Sequence, residues 1–100
     1  LFDINLDEFD VVFIQGANPL VSLVNRDEWK KLKDKNTIVF GKYFDESAKI
    51  AKMFIPTKEF YAKKDIRGSY FNEYIYLHTN PISSKGISEY ELTKYLFKEF

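Results

Sequence analysis

Asp10-Val11-Val12-Phe13-Ile14-Gln15-Gly16-Ala17-Asn18-Pro19 is the stretch on which the fold turns. Val11 to Ile14 is an unbroken apolar run of two valines, a phenylalanine and an isoleucine. Such a run reads as a strand buried on both faces. Gly16 lets the chain turn there and lets another group approach the backbone closely. Asn18 precedes a proline, which drives it toward an extended conformation. In an open α/β sheet, ligands sit beyond the carboxyl ends of such strands. The turn from Gly16 to Pro19 is therefore the first place to look for function.

Two further runs repeat the pattern. Thr37-Ile38-Val39-Phe40 is closed by Gly41, and Met53-Phe54-Ile55 is stopped by Pro56, which has no N–H for a strand ladder. Between the first two runs, Leu20 to Val24 is apolar but short. Asn25 then caps a helix, with Glu28 three residues on in a capping-box arrangement. Asp27 and Glu28 suit the positive end of that helix, and Lys30, Lys31, Lys33 and Lys35 the other. The lysines obey the dipole rule, so they read as a solvated outer face rather than a binding stripe. Trp29 and Leu32 are spaced to face the sheet together. Between the second and third runs, Asp45-Glu46-Ser47 opens a short helix, with Ala48, Ile50 and Ala51 available for packing. Strands alternating with helices imply right-handed crossovers and a parallel sheet.

The flanks are less regular. Asp3 to Asp10 reads as a lead-in loop or a short first turn, most simply a solvated acidic lead-in, without the spacing of a calcium loop. Thr57 to Phe71 lacks periodicity and reads as a long ordered loop anchored by Phe60, Tyr61, Tyr70 and Phe71. Tyr74-Ile75-Tyr76-Leu77 alternates aromatic with aliphatic residues, as an edge strand does. Asn80-Pro81 and Ser83 to Gly86 are turns. Ser88 and Glu91 form a capping box for a last helix with a broad apolar stripe. The expected fold class is α/β: a three-stranded parallel βαβαβ sheet, half of a Rossmann-like domain, with an added edge strand and a C-terminal helix. Residues 1–100 are expected to form a single α/β subdomain. The opening Leu1-Phe2-Asp3-Ile4, without a methionine, suggests a piece of a larger chain.

Composition narrows the function classes. A chain that is 45% hydrophobic and 18% aromatic can build a core, although one this short buries only roughly two-thirds of its unfolded surface. Fifteen basic residues balance fifteen acidic ones, whereas a nucleic-acid partner calls for a basic excess. With no cysteine, thiolate zinc sites and iron–sulfur clusters are excluded within these residues. No apolar stretch reaches the length of a membrane span, and no signal peptide is visible. His78 is alone, and a lone histidine is more often a hydrogen-bonded surface residue than a metal ligand. No nucleophile–base pair, P-loop or Gly-x-Gly-x-x-Gly stretch is present. What remains is the set of strand-end loops: Gly16 to Pro19, Gly41 to Phe44 with Ser47 after it, and Pro56 with Thr57. Their backbone N–H groups are suited to a phosphate or a nucleobase.

Taken together, the motifs make the chain resemble the second half of the third domain of molybdopterin oxidoreductase large subunits, the family of dimethyl sulfoxide reductase and formate dehydrogenase. That family has a strand running into a Gly-x-Asn-Pro or Gly-x-Asp-Pro turn, here Gly16-Ala17-Asn18-Pro19. Its next strand, aromatic and Thr-x-Thr-Ala helix start correspond to Phe40 to Phe44 and Asp45-Glu46-Ser47-Ala48. Its Ala-Asp-x-x-Leu-Pro stretch corresponds to Ala51 to Pro56. Its Asp-x-Arg-x-Ser-Tyr stretch corresponds to Asp65-Ile66-Arg67-Gly68-Ser69-Tyr70, and its closing Gly…Glu…Leu pattern loosely to Gly86 to Leu96.

The resemblance spans Asp10 to Phe100 and implies a cofactor, molybdopterin guanine dinucleotide. Gly16, Ala17, Asn18 and Pro19 would line its nucleotide arm, with Lys42, Tyr43 and Ser47 nearby. Many members carry an acidic residue after the second strand, where this chain has Gly41-Lys42. That departure keeps open a molybdenum-free relative, the large subunit of NADH-quinone oxidoreductase. Implied partners are the remaining domains of a parent large subunit, and iron–sulfur or membrane-anchor subunits. Its compartment is left open between cytoplasm and periplasm. The metal ligand and the cluster cysteines of the family lie outside this stretch, so the piece alone is not expected to be catalytic. A rival reading is a cofactor-free α/β interaction module. In either case a free sheet edge predicts self-association.

Overall fold

Three of the apolar runs pair as parallel strands in the order in which they occur. The computed structural model describes residues 4–69, 71–79 and 82–99. In it, β1 (Val11–Gln15), β2 (Asn36–Gly41) and β3 (Met53–Pro56) form one parallel sheet in the order β1-β2-β3. Between β1 and β2 run α1 (Pro19–Ser22), α2 (Arg26–Lys30) and a 3-10 turn over Lys31–Asp34. Between β2 and β3 runs α3 (Glu46–Ile50). The expected α/β class with a parallel three-stranded sheet is what the chain adopts. The chain divides into two compact units, Leu1–Pro56 and Thr57–Phe100, and this sheet with its crossovers belongs to the first.

The register puts Ile14 beside Val39 and Val39 beside Phe54, all on one face. There Ile14 and Val39 pack with Leu6, Leu32 and Ala48, flanked by Val12, Trp29, Ile50, Ala51 and Phe54. Buried Thr37 donates its hydroxyl to the Leu32 carbonyl at 2.6 Å, tying β2 to the turn before it. Strands in sequential order with crossovers of one hand carry both crossovers on the same side of the sheet. The other face is consequently more open: Val11 is 58% and Phe13 44% exposed. This corrects the expectation that Val11 to Ile14 is buried on both faces. β1 is an edge strand, and only central β2 is buried on both sides, with Phe40 fully enclosed and stacked on Phe13.

The caps behave as their chemistry dictates, with one difference. Asn25 accepts the Glu28 amide, but the Glu28 carboxylate does not complete a capping box. It accepts the Leu6 N–H at 2.8 Å and pairs with Lys31 at 2.9 Å. The acidic lead-in is thereby tied down, and Leu6 is a core residue rather than part of a solvated loop. Lys30 pairs with Asp27 on the exposed surface. The short run Leu20 to Val24 contributes to α1, which starts at Pro19, a position where the missing N–H costs nothing.

The second unit contains a 3-10 turn over Phe60–Ala62, β4 (Asp65–Ser69), β5 (Asn72–His78) and α4 (Glu89–Glu99). The region 57–71, expected to be a loop, thus carries a turn and a strand. Its strand has a charge at each end of Asp65-Ile66-Arg67 and then a glycine, so no alternation announces it. It forms because β5 pairs with it, antiparallel, with a register shift at Gly68/Ser69. β5 is the expected alternating strand, and it pairs with β4 in a two-stranded sheet. The α4 capping box is complete: Ser88 accepts the Glu91 amide at 3.2 Å, and Glu91 accepts the Ser88 amide at 2.8 Å. Gly86 has φ 99°, which suits the expected turn. Tyr70 and the Asn80-Pro81 turn lie outside the described residues.

Candidate functional site

β1 leaves the sheet through Gly16, whose φ of 61° favours glycine. A Cβ built there meets nothing within 4 Å, so backbone conformation, not crowding, sets the requirement. The Gly16 amide donates to the Phe40 carbonyl at 3.1 Å, which holds the β1 exit turn against the end of β2. β2 leaves through Gly41, Lys42 and Tyr43. The two exit turns open on one cleft of about 290 Å³, lined by Gly16, Ala17 and Asn18 on one side and by Gly41, Lys42, Tyr43 and Asp45 on the other, with Val39 also in its lining.

Five of the seven residues singled out from the sequence therefore meet at this cleft: Gly16, Ala17, Asn18, Lys42 and Tyr43. The other two do not line it. Pro19 is buried at the start of α1, and Ser47 is completely buried. Ser47 donates its hydroxyl to Asn18 Oδ1 at 2.7 Å, and Asn18 Nδ2 donates to Glu46 Oε2 at 2.9 Å. The Leu20 amide also reaches the Ser47 hydroxyl, at 3.5 Å. Asn18 and Ser47 thus join the β1 exit turn to the start of α3, and both sides of the Asn18 amide are engaged within the protein. Its hydrogen bond, followed by one from the backbone, holds the Glu46 carboxyl below the usual glutamate range.

Tyr43 presents an exposed ring, with the Lys42 ammonium 5.0 Å from its centroid, a cation–π distance. Asp45 was legible in the sequence only as a helix opener. It caps α3 by accepting the Ala48 amide at 2.9 Å, and it also lines the cleft. The signal was there: a cap between a parallel strand and its crossover helix must stand at the carboxyl edge of the sheet.

The cleft offers an aromatic ring, an ammonium group, a carboxylate acceptor and a glycine turn. Each of these can contact a bound ligand. Its volume lies just under the roughly 300–1,000 Å³ typical of ligand pockets. Among the described residues, no group of three His, Cys, Asp or Glu side chains is placed to hold a metal ion. His78 Nε2 lies 3.1 Å from the Tyr61 carbonyl oxygen, a hydrogen-bonded placement within the second unit. A second concavity of the first unit, about 540 Å³, flanks the edge strand β1 and is walled by apolar side chains including Phe9, Phe13, Leu23 and Trp29. Compared with family models, curated proteins and solved structures, the chain finds no match in any of the three.

Proposed function

We propose that the chain is part of the large subunit of a molybdopterin-dependent oxidoreductase. In this reading the cleft between the β1 and β2 exit turns holds the guanine nucleotide end of the dinucleotide cofactor. The observation that supports it most is the meeting of Gly16, Ala17, Asn18, Lys42 and Tyr43 around one opening at the carboxyl ends of adjacent parallel strands. The size of the cleft fits one base with part of its ribose, so the rest of the cofactor belongs to the remaining domains of a parent subunit. The bound cofactor supplies the redox chemistry; the residues of this chain bind and orient its distal end. Titration of the 100-residue chain with guanosine diphosphate, followed by amide NMR, tests this. Shifts confined to Gly16, Ala17, Asn18 and Tyr43 are expected, and their absence overturns the reading.

The apolar concavity along β1 favours a second reading, a cofactor-free α/β module that serves subunit packing, as in a molybdenum-free NADH-quinone oxidoreductase large subunit. Among the described residues no strand pairs with the outer edge of β1, and Val11–Gln15 carries no charged residue; such an edge pairs readily with another strand. Sedimentation at millimolar concentration separates the two readings: association with a cleft inert to guanosine diphosphate supports the second.

A further inference from the structure

We infer that the second unit carries a binding site for an aliphatic carboxylate, of the free fatty-acid class, in the cleft between the β4–β5 hairpin and the start of α4. Only residues of the second unit take part, so the inference stands apart from the nucleotide reading. The cleft measures about 580 Å³, within the range of ligand pockets. Its floor is apolar. Ile66 and Leu77 are direct partners across β4 and β5, and Ile75 stands opposite Gly68, so the three side chains share one face. All three are exposed. Ile66 and Leu77 line the cleft together with Ala62, and Ile75 continues the floor beyond it. A floor of this kind takes a hydrocarbon tail.

The rim decides the head group. Lys58, Lys63, Lys64 and Ser88 stand along it. Its Glu91 carboxylate is already engaged, accepting the Ser88 amide at 2.8 Å and Lys58 at 2.9 Å on both oxygens. Lys63 is likewise balanced by Glu89 at 2.6 Å. Lys64 makes no ion pair among the described residues. The Ser88 hydroxyl accepts the Glu91 amide and keeps its own proton to donate. Asp65 also borders the cleft, but it alternates with Ile66 and belongs to the other face of β4, where its Oδ1 accepts the Ile66 amide. The rim therefore has donors to spare and one ammonium without a counter-charge. A single negative charge on an apolar tail satisfies both.

The test titrates the intact 100-residue chain with octanoate, octanol and octyltrimethylammonium, followed by amide NMR. Octanoate should shift Lys64, Ile66, Leu77 and Ser88, and should bind severalfold more tightly than octyltrimethylammonium. Lengthening the acid from hexanoate to decanoate should tighten binding about twofold per methylene, half the gain of full burial. Lys64→Gln, at an exposed position before β4, should weaken octanoate severalfold and leave octanol unchanged. Leu77→Thr, which keeps a strand-forming residue, should weaken octanoate and octanol alike. Equal binding of octanoate and the ammonium compound, or an indifferent Lys64→Gln, overturns the charged head. Octanoate shifts centred on Val11 and Phe13 would mark adsorption to the other apolar surface and overturn the site. No shift at Ile66 or Leu77 overturns it outright.

Discussion

In the first unit Leu32, Thr37, Val39 and Phe40 are almost wholly withdrawn from water, whereas the hairpin of the second unit keeps Ile66, Ile75 and Leu77 69%, 76% and 63% exposed. The hairpin strands are also the less apolar, with Asp65, Arg67, Ser69, Asn72 and Glu73 among their residues, and topology widens the difference. Three strands with crossovers on one face enclose a volume; a two-stranded hairpin has too little surface to do so and is marginal by itself. The second unit relies instead on polar ties. Lys58 reaches both Glu91 oxygens at 2.9 Å, and Lys63 reaches Glu89 at 2.6 Å. Arg67, a buried guanidinium, lies 3.6 Å from the Phe60 ring centroid and donates to the Phe60 carbonyl. Ion pairs as exposed as these add little each. The lesson is that apolar side chains make a core only where the topology encloses them.

Three measurements can break or sharpen this contrast. Leu32→Ala removes a fully buried side chain from the centre of the first unit's core, and the cavity should cost about 2–5 kcal/mol. Urea unfolding followed by the fluorescence of Trp29 measures it; a loss well under that range would mean the first unit is no better packed than the second. Arg67→Lys comes next. Lysine has neither the planar fork nor the stacking surface of arginine, so the change should cost about 1–2 kcal/mol. Hydrogen exchange should quicken in β4 and β5 while β1 and β2 are unchanged, and quickening in β2 would contradict the separation.

The smallest effect is one of pH. The Ser88 amide, then Lys58 and the Ser88 hydroxyl, lower the Glu91 carboxyl from the usual 4.5 to about 2. A folded value below the unfolded one stabilises the ionised state, so the contribution is present above about pH 4.5 and fades as pH falls toward 2. Glu91 is 44% exposed, so screening keeps the effect under about 1 kcal/mol. Amide protection at the start of α4 should decline across that window, and Glu91→Gln should flatten the decline.

The strands of the first unit were legible because each is a short apolar run closed by Gly16, Gly41 or Pro56. The starts of α2, α3 and α4 were legible because Asn25, Asp45 and Ser88 are caps with defined chemistry. β4 was not, since Asp65-Ile66-Arg67-Gly68-Ser69 has no strand pattern until β5 lies beside it. At the cleft, the glycine turn and its neighbours were legible as a strand-end loop. The engagement of Asn18 with Ser47, 29 residues away, was not, and neither was the second role of Asp45.

The residues alone determined what depends on a turn or two of chain: where strands stop, where helices begin, and that strands and helices alternate. The tertiary structure decided which face of β1 meets water, which polar side chains engage each other, and which are left facing the cleft. Those outcomes depend on register and on groups remote in the chain, and an apolar run or a capping aspartate reads the same locally whatever stands across from it.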